Sequence, residues 1–286
     1  MKRSKILENM FLSLPGMADF HAPGSKCYEL LKQIARCEVE RLFSSASAET
    51  VVLEPFGEIF FPYYRMGALD SLNLFDLDEL IIFSYYWVNR KRYQTVLDIG
   101  ANLGLHSIIL HKCKYQTFSY EPDPAHFEIL QENFALNGIE DTNAQNVAVS
   151  TVAGESSFLR VLGNTMSSHL VGAKKNPYGD LECLKVQTIS FTPLMSNADL
   201  IKLDIEGYEK EVLLSTGREN WQTTDALVEV QCEENAAYIY NHFQKLGVGL
   251  FSQKKNWRRV ECLEDMPTSY HDGTLFISCS NEMPWS

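Results

Sequence analysis

The chain has no C-x-x-C pair and no Cys/His cluster at zinc-ligand spacing, so nothing among its cysteines and histidines argues for a zinc site. Its seven cysteines are odd in number and irregularly placed, at Cys27, Cys37, Cys113, Cys183, Cys232, Cys262 and Cys279. The simplest account is reduced thiols packed as small hydrophobes in a reducing compartment. Cationic side chains are scarce: 25 Lys and Arg stand against 37 Asp and Glu, a formal net charge of −12. That balance argues against a nucleic-acid backbone as partner, because phosphate neutralisation needs a cationic surplus. One basic run, Lys254–Arg259, reads as the solvated rim of a hairpin. Long apolar runs are missing too. MKRSK could pass for the start of a signal peptide, but ILENMFLSLPGMADF is interrupted by Glu8 and Asn9 and is too short and polar for a signal core or a membrane span. A cytoplasmic protein with no membrane span is expected.

What is present fits a soluble α/β protein. Apolar residues make up 45% of the 286 positions and charged residues 22%, ordinary globular values. There is no internal repeat, and the small polar run Ser44–Thr50 divides the first ninety residues. Residues 25–43 carry apolar positions at helical spacing behind Ser25 as N-cap. Val51–Leu53 and Glu58–Phe61 flank Pro55-Phe56-Gly57 as a hairpin. A second helix is expected over Asp76–Asn89, with Phe83, Tyr85, Tyr86 and Trp87 forming either core or a homodimer face.

From Thr95 the pattern changes to strand–turn–helix units. Apolar runs at 95–99, 117–120, 145–149, 199–205 and 225–231 read as strands, and helices at 103–112 and 124–137 separate the first three. Two more strands, Ser156–Leu162 and Leu184–Phe191, surround the loop 163–180, whose length and small residues suit a lid or acceptor-recognition loop. Helices follow Ile205 and cover Ala236–Leu246, and a terminal hairpin ending in Thr274–Ser278 is placed on a sheet edge. Such alternation predicts a mostly parallel sheet covered by helices on both faces. Residues 1–90 then form a helical and hairpin extension, and residues 91–286 the α/β domain.

The turn Asp98-Ile99-Gly100-Ala101-Asn102-Leu103-Gly104 leaves the first strand of that domain. Ligands of open α/β sheets bind beyond the carboxyl ends of the strands, so this turn borders the site. Gly100 allows a sharp turn and close ligand approach, and Gly104 lets the helix pack closely. Asn102 stands where a dinucleotide motif needs its second glycine, which disfavours a nicotinamide cofactor. Asp98 instead suits a ligand with a cationic amino-acid tail. Glu121, about twenty residues on at the end of the second strand, is placed to hold a ribose diol. Asp123 and Pro124 then start the next helix as N-cap and first residue.

VLDIGANLG (96–104), YEPDP (120–124), Asn133…Leu136-Asn137, NVAVS (146–150), IKLDIEGYE (201–209), LVEVQ (227–231) and Asp272…LFIS together resemble the FkbM-type methyltransferase family. The resemblance implies a Rossmann-like seven-stranded methyltransferase sheet, mostly parallel with its last strand antiparallel. It also implies methyl transfer from S-adenosyl-L-methionine to a hydroxyl oxygen of a sugar or secondary metabolite. By the same resemblance Asp98, Gly100, Asn102 and Gly104 line the methionine portion, Glu121 binds the ribose with Pro122 and Asp123 beside it, and Asn146, Val147 and Ala148 lie near the adenine. Thr192 departs from the pattern, standing near where many members carry Asp.

In Ile201–Glu206, period two puts Lys202, Asp204 and Glu206 on one side. A lysine inside such a strand must be paired, with Asp204, Glu206 or Glu229. An alcohol is a poor nucleophile, so a base should take its proton as it attacks. Asp204 or Glu206 is the expected base, with His106 and His169 behind them. The two carboxylates could alternatively hold a divalent cation, though two ligands make a thin site. Two other functions remain open: a non-catalytic partner-binding protein on this fold, and an NAD-linked oxidoreductase.

Overall fold

A computed structural model of the chain describes residues 1–44, 49–140, 143–174 and 179–285. Residues 45–48 of the polar run and 175–178 of the 163–180 loop lie outside the described residues. Hydroxyl caps start the first two helices. Ser4 accepts the Leu7 N–H ahead of α1 (Lys5–Ser13), and Ser25 accepts the Tyr28 N–H ahead of α2 (Lys26–Phe43), each satisfying a donor the first turn leaves open. The hairpin pairs Val51–Val52 with Glu58–Ile59, and Lys2–Arg3 joins as a parallel third strand. α3 (Leu77–Val88) follows. Its Phe83, Tyr85 and Tyr86 are fully buried in a cluster with Val96, Ile108, Leu130 and Phe276. Of the two readings open for these aromatics, core holds for these three rings.

The α/β units then run in order: β1 (Thr95–Ile99), α4 (Leu105–Lys112), β2 (Gln116–Tyr120), α5 (Pro124–Leu136) and β3 (Asn143–Gln145). β4 (Ala148–Ser150), β5 (Gly154–Val161) and β6 (Leu181–Ser190) leave the main sheet and form a second one with His169–Leu170. The chain returns with β7 (Leu200–Leu203), α6 (Glu209–Leu214), β8 (Asp225–Glu229), α7 (Glu233–Leu246), β9 (Gly249–Ser252), β10 (Arg258–Arg259) and β11 (Thr274–Ser278). The main sheet has the order β10-β9-β11-β8-β7-β1-β2-β3. β3, β2, β1, β7 and β8 are parallel, and β11 runs antiparallel to both of its neighbours. This is the expected Rossmann-like sheet with one extra two-residue edge strand. Its order reverses between β1 and β7, the switch point where open α/β sheets bind ligands.

One expectation changes. The run 145–149 is not one strand: the Asn146 side-chain amide donates to the Glu121 and Pro122 carbonyls. The chain turns there, and Ala148 pairs with Thr188 of the second sheet. The terminal strands do occupy one edge of the sheet, as expected, with the last of them set inward. Leu275, Phe276 and Ile277 are wholly buried, so β11 sits between β8 and β9, while Arg258 and Arg259 occupy the edge, as exposed charges commonly do.

Side chains alternate across the sheet. Val96, Leu200, Leu227 and Phe276 join the core under α1 to α4, whereas Leu97, Ile99, Ile201 and Leu203 join the core under α6 and α7. Residues 1–90 therefore share one continuous core with the α/β units. All seven cysteines are free thiols, but only Cys113 is buried; Cys37, Cys183, Cys232, Cys262 and Cys279 are exposed rather than packed. Among the described residues no helix is long and apolar enough to cross a membrane.

Candidate active site

A cleft of about 1150 Å³ opens at the carboxyl ends of β1, β2, β7 and β8. Asp76, Asp78 and Glu79 at the start of α3 form part of its wall, and residues 164–170 and 172–174 another part.

The turn after β1 is built around Gly100. Its φ is +83°, and a Cβ added there would overlap the Asp204 carbonyl oxygen. Only glycine meets both demands. Asn102 is also left-handed, at φ 51°, a conformation asparagine tolerates better than most residues. Its N–H donates to Glu121 Oε2 at 2.8 Å, and its own Oδ1 is buried without a partner among the described residues. The Asp123 N–H donates to Glu121 Oε1 at 2.8 Å. Each carboxylate oxygen therefore holds one backbone donor and keeps a lone pair towards the cleft. Burial outweighs those bonds and pushes Glu121 up to about 8.

Gly100, Asn102, Glu121, Pro122 and Ala148 line the cleft; Asp98, Gly104, Asp123, Asn146 and Val147 do not. Asp98 is fully buried and accepts the Ser107 hydroxyl of α4. Gly104 serves helix packing, but towards α5 rather than the strand: a Cβ would stand 3.0 Å from Leu130 Cγ and 3.1 Å from Phe134 Cε1. Asp123 caps α5 through the Ala125 N–H and takes two bonds from the Arg160 guanidinium. Burial works to raise its pKa, yet Arg160 keeps it below the usual range.

At the other end, β7 stops at Leu203 and the three expected charges stay together. Lys202 Nζ donates to Asp204 Oδ2 at 3.2 Å and to the Gly100 carbonyl at 3.4 Å. Burial would lower its pKa, but Asp204, Asp98 and Glu79 together raise it, so the ammonium persists. Asp204 Oδ1 is buried and has no partner among the described residues. Glu206 is left-handed, at φ 56°, and Lys174 of the 163–180 loop donates to its Oε2 at 2.6 Å. Burial and Asp204 push Glu206 up to about 7 despite that lysine. Beside them Glu229 is held well above its ordinary value by burial and by Asp204, Glu206, Glu79 and Glu209. It accepts a hydrogen bond from the Gln231 side-chain amide, at 2.7 Å. Among the described residues no three His, Cys, Asp or Glu side chains are grouped to hold a metal ion.

The site also includes side chains that no local pattern announced. Glu79 reaches the cleft from α3 and bonds His106 Nε2 at 2.9 Å, while Tyr86 engages His106 Nδ1 at 3.1 Å. In sequence Glu79 is only an acidic residue in a helix's first turn, which the helix dipole already explains. His126 joins at the start of α5, its Nε2 3.0 Å from the Thr165 hydroxyl. Thr192 lies outside the cleft lining, near Ser215.

Against known proteins, the family model described as "Methyltransferase FkbM domain" matches residues 98–249. "Methyltransferase sdnD" from Sordaria araneosa is 28% identical over 164 residues, covering 44% of this chain and 62% of that protein. "Methyltransferase 1" from Beauveria bassiana is 22% identical over 165 residues, covering 50% of this chain and 66% of that protein. The chain thus spans just under two thirds of the length of these curated relatives. Among solved structures, a SAM-dependent methyltransferase from Agrobacterium tumefaciens superposes with a TM-score of 0.41 at 8% identity, covering 82% of this chain and 72% of that one. An O-methyltransferase from Bacillus cereus, solved in complex with SAH, superposes at 0.35 with 9% identity, covering 68% and 78%. Strand order, rather than these superpositions, identifies the fold.

Proposed function

The chain belongs to the FkbM methyltransferase family, and from that premise we propose that it moves a methyl group from S-adenosyl-L-methionine to a hydroxyl oxygen of a sugar or secondary metabolite. The observation that carries this reading is the junction at Gly100. The turn suited to the cofactor and the strand end bearing Asp204 touch there, so both ends of the reaction share one cleft.

The residues fit the cofactor. Glu121 offers two carboxylate oxygens with spare lone pairs for the ribose diol, and Gly100 leaves backbone exposed where a side chain would intrude. The buried Asn102 Oδ1 is an acceptor awaiting a donor such as the cofactor's ammonium. Pro122 and Ala148 extend that wall, while Asp98, Gly104, Asp123, Asn146 and Val147 hold it from behind. When bound, S-adenosyl-L-methionine supplies a methyl group on positively charged sulfur, an electrophile that needs no further activation.

The chain's own task is to align the acceptor, exclude water and remove a proton. Asp204 and Glu206 are the carboxylates that engage the hydroxyl, and Lys202 fixes Asp204. A cytoplasmic setting agrees with five exposed, unpaired thiols.

Calorimetry on the purified chain tests the first half: S-adenosylhomocysteine should bind and NAD should not. Methyl-labelled cofactor with a panel of methyl glycosides, polyols and hydroxy acids tests the second. Asp204→Asn should slow transfer on the order of 100-fold while changing S-adenosylhomocysteine affinity only a few-fold. A folded protein that ignores S-adenosylhomocysteine would sink the reading.

A further inference from the structure

Which group carries the acceptor's proton away depends on what each group in the cleft is already doing. Asp204 is paired with Lys202, and Glu206 with Lys174. Protonating Asp204 strands a partly buried lysine, a change that costs more than breaking an exposed pair, and Glu206, pushed up to about 7 by burial and Asp204, is already partly protonated at neutral pH. His106 has both ring nitrogens engaged, by Glu79 and Tyr86. His126 meets Thr165 through Nε2, the nitrogen it would need. His169 differs. It is 1% exposed, stands in the cleft wall, and is held in register by the pairing of its strand with β5. Its Nδ1 lies 2.8 Å from the Ser167 carbonyl, an oxygen that can only accept. The proton of the neutral ring must then sit on Nδ1, which leaves Nε2 with a bare lone pair. That Nε2 is buried and has no partner among the described residues.

We propose that His169 is the general base of the methyl transfer, taking the acceptor hydroxyl's proton on Nε2 while Asp204 and Glu206 orient that hydroxyl. This rests on the methyltransferase reading above. The acceptor oxygen gains the methyl carbon, sulfur keeps the electron pair of the bond it loses, and the hydroxyl proton ends on Nε2. The imidazolium then releases its proton to water when product leaves. Burial, aided by the charge of Lys174, lowers the pKa of His169, so the ring starts neutral at physiological pH. A weak base suffices, because an oxygen that has gained a methyl group holds its proton very loosely.

Histidine-ring ¹⁵N NMR on the full chain, assigned by loss of one signal in His169→Asn, reads the tautomer without any acceptor. Nε2 should be unprotonated at pH 7 and the ring should titrate below its ordinary midpoint. A proton found on Nε2 at neutral pH overturns the proposal. His169→Asn keeps a donor for the Ser167 carbonyl and removes only the base. It should lower kcat by about 100-fold or more, leave KM for the cofactor and affinity for S-adenosylhomocysteine within threefold, and regain part of the rate with added imidazole. A variant that keeps wild-type kcat, even if it melts earlier, shows a structural histidine and overturns the proposal while the methyltransferase reading stands. If the wild type itself fails to bind S-adenosylhomocysteine, the failure belongs to that reading instead.

Discussion

Gly100→Ala is expected to abolish S-adenosylhomocysteine binding and to destabilise the fold by about 4 kcal/mol or more, the range reserved for mutations that break a special backbone position or force a core apart. Two costs combine. A left-handed φ of +83° disfavours any Cβ, and here the Cβ would overlap the carbonyl oxygen of Asp204 on the next strand. The clash cannot be relieved cheaply, because both partners are backbone. The Asp204 N–H is bonded to Ile99, and the Gly100 N–H to Tyr120, so separation would tear the β1–β7 junction at the switch point of the sheet. Gly138→Ala is the control. It too has positive φ, at +67°, but its Cβ would meet nothing within 4 Å, so about 1–2 kcal/mol of conformational strain is all that should appear. Urea midpoints of the two variants, with calorimetric titration of each, decide the matter. Equal midpoints would mean that the close approach of Gly100 to Asp204 is not a feature of the folded protein.

The legible part of this fold was the part written in consecutive residues. DIGAN and YEPDP specify a turn and a strand end by themselves, since glycine, proline and N-cap chemistry act within a few positions. Lys202, Asp204 and Glu206 stay close because they leave one strand together. The pattern did not say which way a carboxylate points. Asp98 and Asp123 look like ligand groups in sequence, yet neither lines the cleft: Ser107 donates to one oxygen of Asp98 and Arg160 holds both of Asp123, and those partners lie 9 and 37 residues away. Glu79, and its pairing with the already suspected His106, was hidden for the opposite reason. Their pairing exists only because α3 and α4 pack on the same face of the sheet, 27 residues apart. The split of 145–149 was likewise invisible, because a side-chain amide reaching back to Glu121 and Pro122 turns the chain. Short-range chemistry can be read from the chain. Long-range hydrogen bonds decide whether a polar group serves the ligand or the scaffold.

Glu121 joins these two levels, and its titration should be visible in binding. In the ligand-free protein it protonates at about 8, because burial opposes the charge, Asp123 adds to the opposition, and Lys202 only partly offsets it. A ribose diol donates its hydrogens to the ionised form. Ligand and proton therefore compete, and S-adenosylhomocysteine affinity should climb with pH, by up to about tenfold per pH unit between 6 and 8, then level off. Stability of the free protein moves the other way. A carboxyl raised from 4.5 to about 8 on folding favours the fold fully below 4.5 and loses that contribution as pH rises through 8. Glu209, also at about 8, and Glu206, at about 7, add slopes of the same sign, so the comparison with Glu121→Gln isolates the one carboxyl. That variant should bind S-adenosylhomocysteine roughly 100-fold more weakly at pH 8.5, for two charge-assisted bonds of about 1.5–3 kcal/mol each, partly replaced by an amide. It should also lose most of the pH dependence. Calorimetric titrations of both proteins at four pH values provide the check. A variant that keeps the wild-type slope would locate the titrating group elsewhere and remove Glu121 from the ribose site.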